Sequence, residues 1–294
     1  MNAGNRTLFG VAAVLLIVAS AVLAAGCGGS EKKATASQAS PFDSAYCVTA
    51  RKWAVHELNG GGDGAYARGG PPALKKWWNE QLAYLKTSLR QAPSVVRGAE
   101  AVNERAIRTR LTPLLEKYDF DFERVEKEAS ASEKAFADHP PADVRKAEDT
   151  RNGYQNRVCG YGGSPPPADV SFTPSAASKA YCAAAARQEK GLEAVAESGF
   201  APNAFRTYVT SDRFLAALDA QDATAPVEIA ADVKADNAWV RTRKLAVAEK
   251  FNYDLRRIML EGSANDLAVF NYFDPAIVEQ DSRVEAYVQQ VCGA

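Results

Sequence analysis

Arg241 to Leu255 reads RTRKLAVAEKFNYDL, and Arg108 to Phe122 reads RTRLTPLLEKYDFDF. The two stretches share R-T-R, then E-K, then aromatic, Asp or Asn, aromatic, Asp. They lie 133 positions apart. The same offset carries Pro93 onto Pro226, Tyr154 onto Tyr287, Val158 onto Val291, Cys159 onto Cys292 and Gly160 onto Gly293, with no gap. A fixed offset over that span reads as an internal duplication: one unit written twice. The units are expected at 43–162 and 178–294, joined by a Pro/Ser-rich linker at 163–177.

Each copy has the period of helices. Tyr46, Ala50, Trp53, Ala54 and Leu58 recur at helical spacing, as do Leu74, Trp77, Trp78, Leu82, Leu85 and Leu89. The first helix is expected over 44–58, ended by Asn59-Gly60-Gly61-Gly62, and a loop should lead to a second helix over 73–91. A third opens at Pro93. Pro113 lies inside it and should kink it, whereas the second copy has Ala246 there and should be straighter. The aromatic segment ends that helix, and Asp121 or Asp254 can cap a short amphipathic one near 122–136 or 255–267. The last helix starts at Ala142 or Pro275 and closes on the cysteine. No segment reads as a strand. The fold class expected is all-α: two tandem up-down bundles of four main helices plus a short one, each closed by a disulfide.

The cysteines fit that reading. Apart from Cys27 there are four, and each copy has one near its start and one at its end. Ala45-Tyr46-Cys47 answers Ala180-Tyr181-Cys182, and Val158-Cys159-Gly160 answers Val291-Cys292-Gly293. Of the three possible pairings, Cys47–Cys159 with Cys182–Cys292 gives both copies the same bond. Such bonds persist in an oxidising, exported setting. Metal-ligand spacing and C-x-x-C are missing and the chain has only two histidines, so no metal or cofactor is expected.

The amino terminus supplies the compartment. Arg6 precedes an apolar run, LFGVAAVLLIVASAVLAAG, over Leu8–Gly26, and Cys27 follows. A positive charge, an apolar stretch and small residues make a secretory signal over 1–26. Ala24-Ala25-Gly26-Cys27 resembles the lipobox of bacterial lipoproteins, which implies diacylglycerol on the Cys27 sulfur. The alternative is an uncleaved anchor, since a span needs roughly 20 apolar residues. Either way the rest of the chain is exported. Residues 27–42 are small and polar and read as a flexible tether.

Composition excludes more than it assigns. A net charge of −1 over 294 residues gives no general pull on nucleic acid, and none is expected as a partner. The copies differ: 44–162 has 19 basic against 16 acidic residues, and 178–294 has 13 against 17. No nucleophile elbow, Cys/His pair or P-loop is present, so an enzyme is not expected. Candidate ligand contacts are Arg108, Arg110, Arg241 and Arg243. On the third helix, Asn103 and Arg110 interrupt a core-facing row, answered by Asp236 and Arg243, so the arginines could form an inward polar layer that holds an anion. Their other reading is the edge of the face, heads in water or paired. Trp77 and Trp78 are the remaining candidates: neighbours on a helix point about 100° apart and cannot both face the core, so one of them either marks an exposed contact surface or ligand rim, or is buried at the edge under the preceding Gly/Pro loop.

The whole pattern resembles exported lipoproteins of high-G+C Gram-positive bacteria: a lipobox, a low-complexity tether and Ala-rich helical units that open on A-Y-C and close on A-Y-V-x-x-x-C-G. Here the second unit closes on Ala286-Tyr287-Val288-Gln289-Gln290-Val291-Cys292-Gly293. The resemblance implies fold, disulfides and an anchor in the membrane through the amino-terminal lipid, on its extracytoplasmic face. It carries no activity. The function expected is a non-enzymatic binding or interaction module of the cell envelope, with an envelope protein or a small ligand as partner. Sequestration of a small molecule or lipid within or between the bundles is the alternative, and an enzyme of unrecognised type the third.

Overall fold

The computed structural model describes residues 40–58, 61–161, 167–174 and 178–293. The apolar run, Cys27 and most of the tether lie outside them. Among the described residues the secondary structure is helical throughout, with no strand. They group into two compact units, 45–155 and 156–294. Cys47 is bonded to Cys159 and Cys182 to Cys292. In the second bond the Cα atoms stand 5.3 Å apart.

In the first unit α1 is Ala45–Glu57, α2 is Gly61–Gln91 and α3 is Ser94–Ala106. A π turn, Ile107–Leu111, leads into α4, Thr112–Lys117. Then follow α5 (Phe122–Glu128), α6 (Ala131–Asp138) and α7 (Ala142–Cys159). The stretch 61–68, expected as loop, is helical. It forms the first arm of α2, which breaks at Gly69 and Gly70 (φ +62) before Pro71 restarts it. Only glycine takes that second conformation without strain.

The second unit contains α8 (Ser178–Glu197), α9 (Pro202–Val209), α10 (Asp212–Thr224) and α11 (Ala230–Trp239). A π turn at Val240–Lys244 leads into α12, Leu245–Lys250. After it come α13 (Leu255–Glu261), α14 (Ala264–Phe270) and α15 (Val278–Tyr287), the last continued by a π turn at Val288–Cys292.

Two expectations change. First, the short helix after the aromatic segment is two helices. Ser130 and Ser263 each start a new one with a capping box, in which Glu133 or Asp266 returns a bond to the serine N–H. Second, Pro113 does not set the copies apart. Both carry a π turn at the same place, with Thr112 N–H donating to Ile107 O and Leu245 N–H to Val240 O. The second copy does this with Ala246, so a missing N–H is not the cause. The described part of the linker is docked. Gln290 holds it from both sides: its Oε1 accepts from Phe172 N–H at 2.9 Å and its Nε2 donates to Val170 O at 2.7 Å. The Phe172 ring meets Tyr287 edge-on at 5.1 Å.

The shared stretch has a structural task in both units. Asp119-Phe120 and Asn252-Tyr253 all have left-handed φ, between 54° and 60°. That reverses the chain, and Phe120 N–H and Tyr253 N–H close the turn on Leu115 O and Ala248 O at 2.7 and 2.6 Å. Asp121 and Asp254 then accept from the first free amides of α5 and α13. The lysine of E-K reaches onward: Lys117 pairs with Glu133 and Lys250 with Asp266, the carboxylates of the two capping boxes. Tyr118 and Phe251 are buried. In the first unit Tyr118 joins Leu74, Trp77, Trp78, Leu115 and Val125 in one core.

Candidate functional site

The arginines come first. Arg108, Arg110 and Arg243 are exposed and Arg241 is half-buried. Arg108 pairs with Glu104 one turn back. Arg241 reaches Asp219 at 2.7 Å and Asp222 at 3.0 Å. The Arg243 guanidinium lies over the Trp239 ring, 5.5 Å from its centre. Thr109 and Thr242 bond back to the carbonyls of Arg105 and Ala238. Arg110 and Arg243 therefore do not form the inward layer that regular spacing suggested.

The π turn explains why. Seven positions beyond Asn103 a regular helix returns to nearly the same face, at Arg110. The wider turn uses one residue more, so the inward position falls on Leu111, which is half-buried, while Arg110 is exposed. In the second unit the same shift replaces Arg243 with Lys244. A polar layer does exist there, and its cation is Lys244.

Around it the interior of the second unit is charged. Asp236 on α11 and Asp281 on α15 are half-buried, and each has one buried carboxyl oxygen with no hydrogen-bond partner, Oδ1 and Oδ2 respectively. Burial pushes Asp236 up to about 6, against the pull of Lys244. Burial, then Asp236, pushes Asp281 up. Burial pushes Lys244 down, while Asp281 and Asp236 resist. Among the described residues no carboxylate lies within 4 Å of the Lys244 ammonium. It sits over two rings, 4.1 Å from the centre of Tyr272 and 5.1 Å from that of Phe270. Tyr272 is left-handed (φ 60), and burial pushes its phenol up.

Lys244 and Tyr272 form one wall of a cavity of about 190 Å³. The rest of its lining is apolar, from Phe200, Phe205, Val209, Phe214, Leu245 and Phe270 among others, with Gln188 as a third polar side chain. Phe200 (φ 55) is also left-handed. Asp236 and Asp281 do not reach this wall. The first unit has Leu111 where this one has Lys244, Asn103 for Asp236 and His139 for Tyr272.

The first unit has a polar interior of another kind. Glu100 on α3 is fully enclosed. Its Oε1 accepts from Tyr46 Oη at 2.6 Å, Ser88 Oγ at 2.9 Å and Gln155 Nε2 at 3.3 Å. The Gln155 amide also donates to Tyr46 and Tyr84 at 2.9 and 3.1 Å. Burial pushes both phenols up, with Glu100 adding to it, Tyr84 to about 12. Nearby, an open groove of about 470 Å³ runs along α1 and α2. His56 Nε2 lies 3.2 Å from Glu80 there, and Trp53 stacks on Tyr84.

Trp77 and Trp78 are both buried, at 5% and 2% exposure, so of the two readings the exposed rim is the one that fails. The second arm of α2 is covered on two sides. Trp78 donates to Thr112 Oγ1 at 3.0 Å, while Trp77 turns the other way, onto Trp53, ring centres 6.0 Å apart. Neither forms a rim. Tyr154 and Tyr287 lie edge-on to Tyr46 and Tyr181, the neighbours of the disulfide cysteines.

Spacing alone flagged Asp236 and missed Lys244, Asp281 and Glu100. For Glu100 a signal was present: it stands one turn from Val96 and from Asn103 in the core row. For Lys244 none was, because the shift is invisible in the letters. Among the described residues no group of His, Cys, Asp and Glu is placed to hold a metal ion, and no helix is long and apolar enough to cross a membrane. No protein-family model, curated protein or solved structure matches the chain.

Proposed function

We propose that this chain is a lipid-anchored binding protein of the extracytoplasmic membrane face, with Cys27 acylated after removal of residues 1–26. Its two helical units descend from one duplicated bundle. The second unit holds a small ligand, and the protein is not an enzyme. One observation carries the ligand reading: an apolar cavity whose wall holds a cation, Lys244, that among the described residues has no carboxylate within 4 Å, where the first unit has Leu111. Ligand sites are mostly apolar with a few placed polar groups. The duplication is supported by what recurs at the offset of 133: the π turns, the left-handed pairs, the capping boxes and the lysines that meet them.

An enzyme is the second reading. It is supported by Lys244, Asp236 and Asp281 sharing one interior with displaced ionisation, a common property of active sites. Binding is preferred because neither carboxyl lines the cavity, so no acid–base pair faces its contents.

Two measurements test the proposal. Cys27→Ser should abolish incorporation of labelled fatty acid and release the protein from membranes; unchanged attachment would sink the lipid anchor. Native mass spectrometry of the purified lipoprotein should show a co-purifying small molecule that the cavity-filling variant Val209→Trp excludes. Retention of the same mass by that variant would place the ligand elsewhere.

A further inference from the structure

The ligand's chemistry can be narrowed, on the reading that the second unit's cavity is a binding site. We infer that the cavity takes a small monocarboxylate with an apolar body, its carboxylate set against Lys244 Nζ and its body among the rings of Phe205, Phe214 and Phe270.

Charge gives the head group. A cation withdrawn from water is ordinarily paired or hydrogen-bonded. Lys244 has only two ring faces, and a cation over a ring recovers part of its lost hydration. The acids whose charge acts on it, Asp281 and Asp236, lie beyond 4 Å and off the cavity wall; burial biases all three groups toward the neutral form, so a carboxylate brought against Lys244 would favour its charged form. A single point charge matches a monoanion. A phosphate dianion would call for further donors, for which arginine is the usual choice, and no arginine lines this cavity.

Volume gives the body. A dry apolar cavity of about 150 Å³ accommodates benzene. This one, at about 190 Å³, has room for one ring or a short branched chain plus a carboxylate. The backbone points the same way. Phe200 and Tyr272 hold left-handed conformations that cost bulky side chains free energy, and both line this cavity. His139, at the position of Tyr272 in the first unit, has an ordinary φ of −139°. The first unit, with Leu111 in place of Lys244, should bind no such acid.

The test is calorimetric titration of the full-length mature protein in detergent with benzoate and with its neutral counterpart benzyl alcohol. The wild type should bind benzoate at least tenfold more tightly than benzyl alcohol. Lys244→Met should lose that preference while binding benzyl alcohol as before. Methionine is unbranched, and leucine already fills the equivalent place in the first unit. The comparison of probes on the wild type needs no variant, so it stands even if Lys244→Met misfolds. Binding of benzyl alcohol as tight as benzoate would overturn the carboxylate assignment and leave the cavity as a neutral-ligand site. Binding of neither at millimolar concentration would overturn both.

Discussion

Removing the Glu100 side chain should unfold the first unit more readily than its size suggests. Its Oε1 is the common acceptor for Tyr46, Ser88 and Gln155. In Glu100→Ala, Gln155 keeps its bonds to Tyr46 and Tyr84, so it loses least. The Tyr46 and Ser88 hydroxyls lose their acceptor inside the protein. An unsatisfied buried donor costs roughly 1–3 kcal/mol, so two give about 2–6 kcal/mol. Losing a buried carboxylate returns part of this, because its own desolvation is relieved. We expect a net loss of about 3 kcal/mol. Glu100→Gln keeps the carbonyl acceptor and should cost about 1 kcal/mol. Urea unfolding followed by tryptophan fluorescence is the assay. Trp53, Trp77 and Trp78 report on the first unit and only Trp239 on the second. At a slope of about 1–3 kcal/mol per molar urea, Glu100→Ala should lower the first unit's midpoint by about 1–3 M. Pairing Glu100→Val with Tyr46→Phe should recover part of the loss, since Val233 occupies the equivalent place in the second unit. A midpoint for Glu100→Ala indistinguishable from wild type, or Gln as harmful as Ala, would refute the common-acceptor account.

Three further outcomes follow from the same geometry. The phenols of Tyr46 and Tyr84 are raised by burial, so the native state keeps protons that the unfolded chain releases near its ordinary value of about 10. Stability should be intact below pH 10 and fall above it, by up to about 1.4 kcal/mol per pH unit per tyrosine. Tyr84→Phe should flatten that decline in urea titrations between pH 9 and 11.5, and an unchanged slope would count against the buried phenol. Replacing Cys182 and Cys292 by Ser opens a loop of 110 positions and should cost the second unit about 4–5 kcal/mol in the simplest chain-entropy treatment. Amide exchange in α8 and α15 would register this, with the first unit unaffected. Pro113→Ala should change the urea midpoint by less than about 1 kcal/mol equivalent and preserve the π turn, given Ala246 in the second unit; a large gain or loss would restore proline as the cause of the turn.

Much of the fold was legible because its determinants are local. The cysteine neighbours gave the pairing, the apolar period gave the helices, and Asp121 and Asp254 gave caps that depend on the next two or three amides. The capping boxes at Ser130 and Ser263 were equally local, and their S-x-x-E and S-x-x-D spacing could have divided the short helix correctly. Other features depend on partners distant in the chain. Gln290 holds Val170 and Phe172 across about 120 positions, and nothing in a glutamine announces that. Trp77 and Trp78 are both covered because α2 is flanked on two sides, a property of packing. Of the two readings open to the arginines, the structure has the edge of the face, with heads in water or paired; the inward layer falls on Lys244 because the helix is not regular through 240–244.

A π turn changes what a residue number means. Beyond it, each position is rotated by about 100° relative to the count that precedes it. Which side chain faces the cavity in the second unit is thus set by a length as well as by a choice of residue. Deleting Thr242 would restore a regular helix with Lys244 seven positions beyond Asp236, and so leave it facing Tyr272 without altering any group that touches the cavity. A helix that carries this extra residue can lose it and keep the charge inside; removing the charge takes a substitution. In the first unit the same place is held by Leu111, so there the charge was set by the residue and the length was left alone.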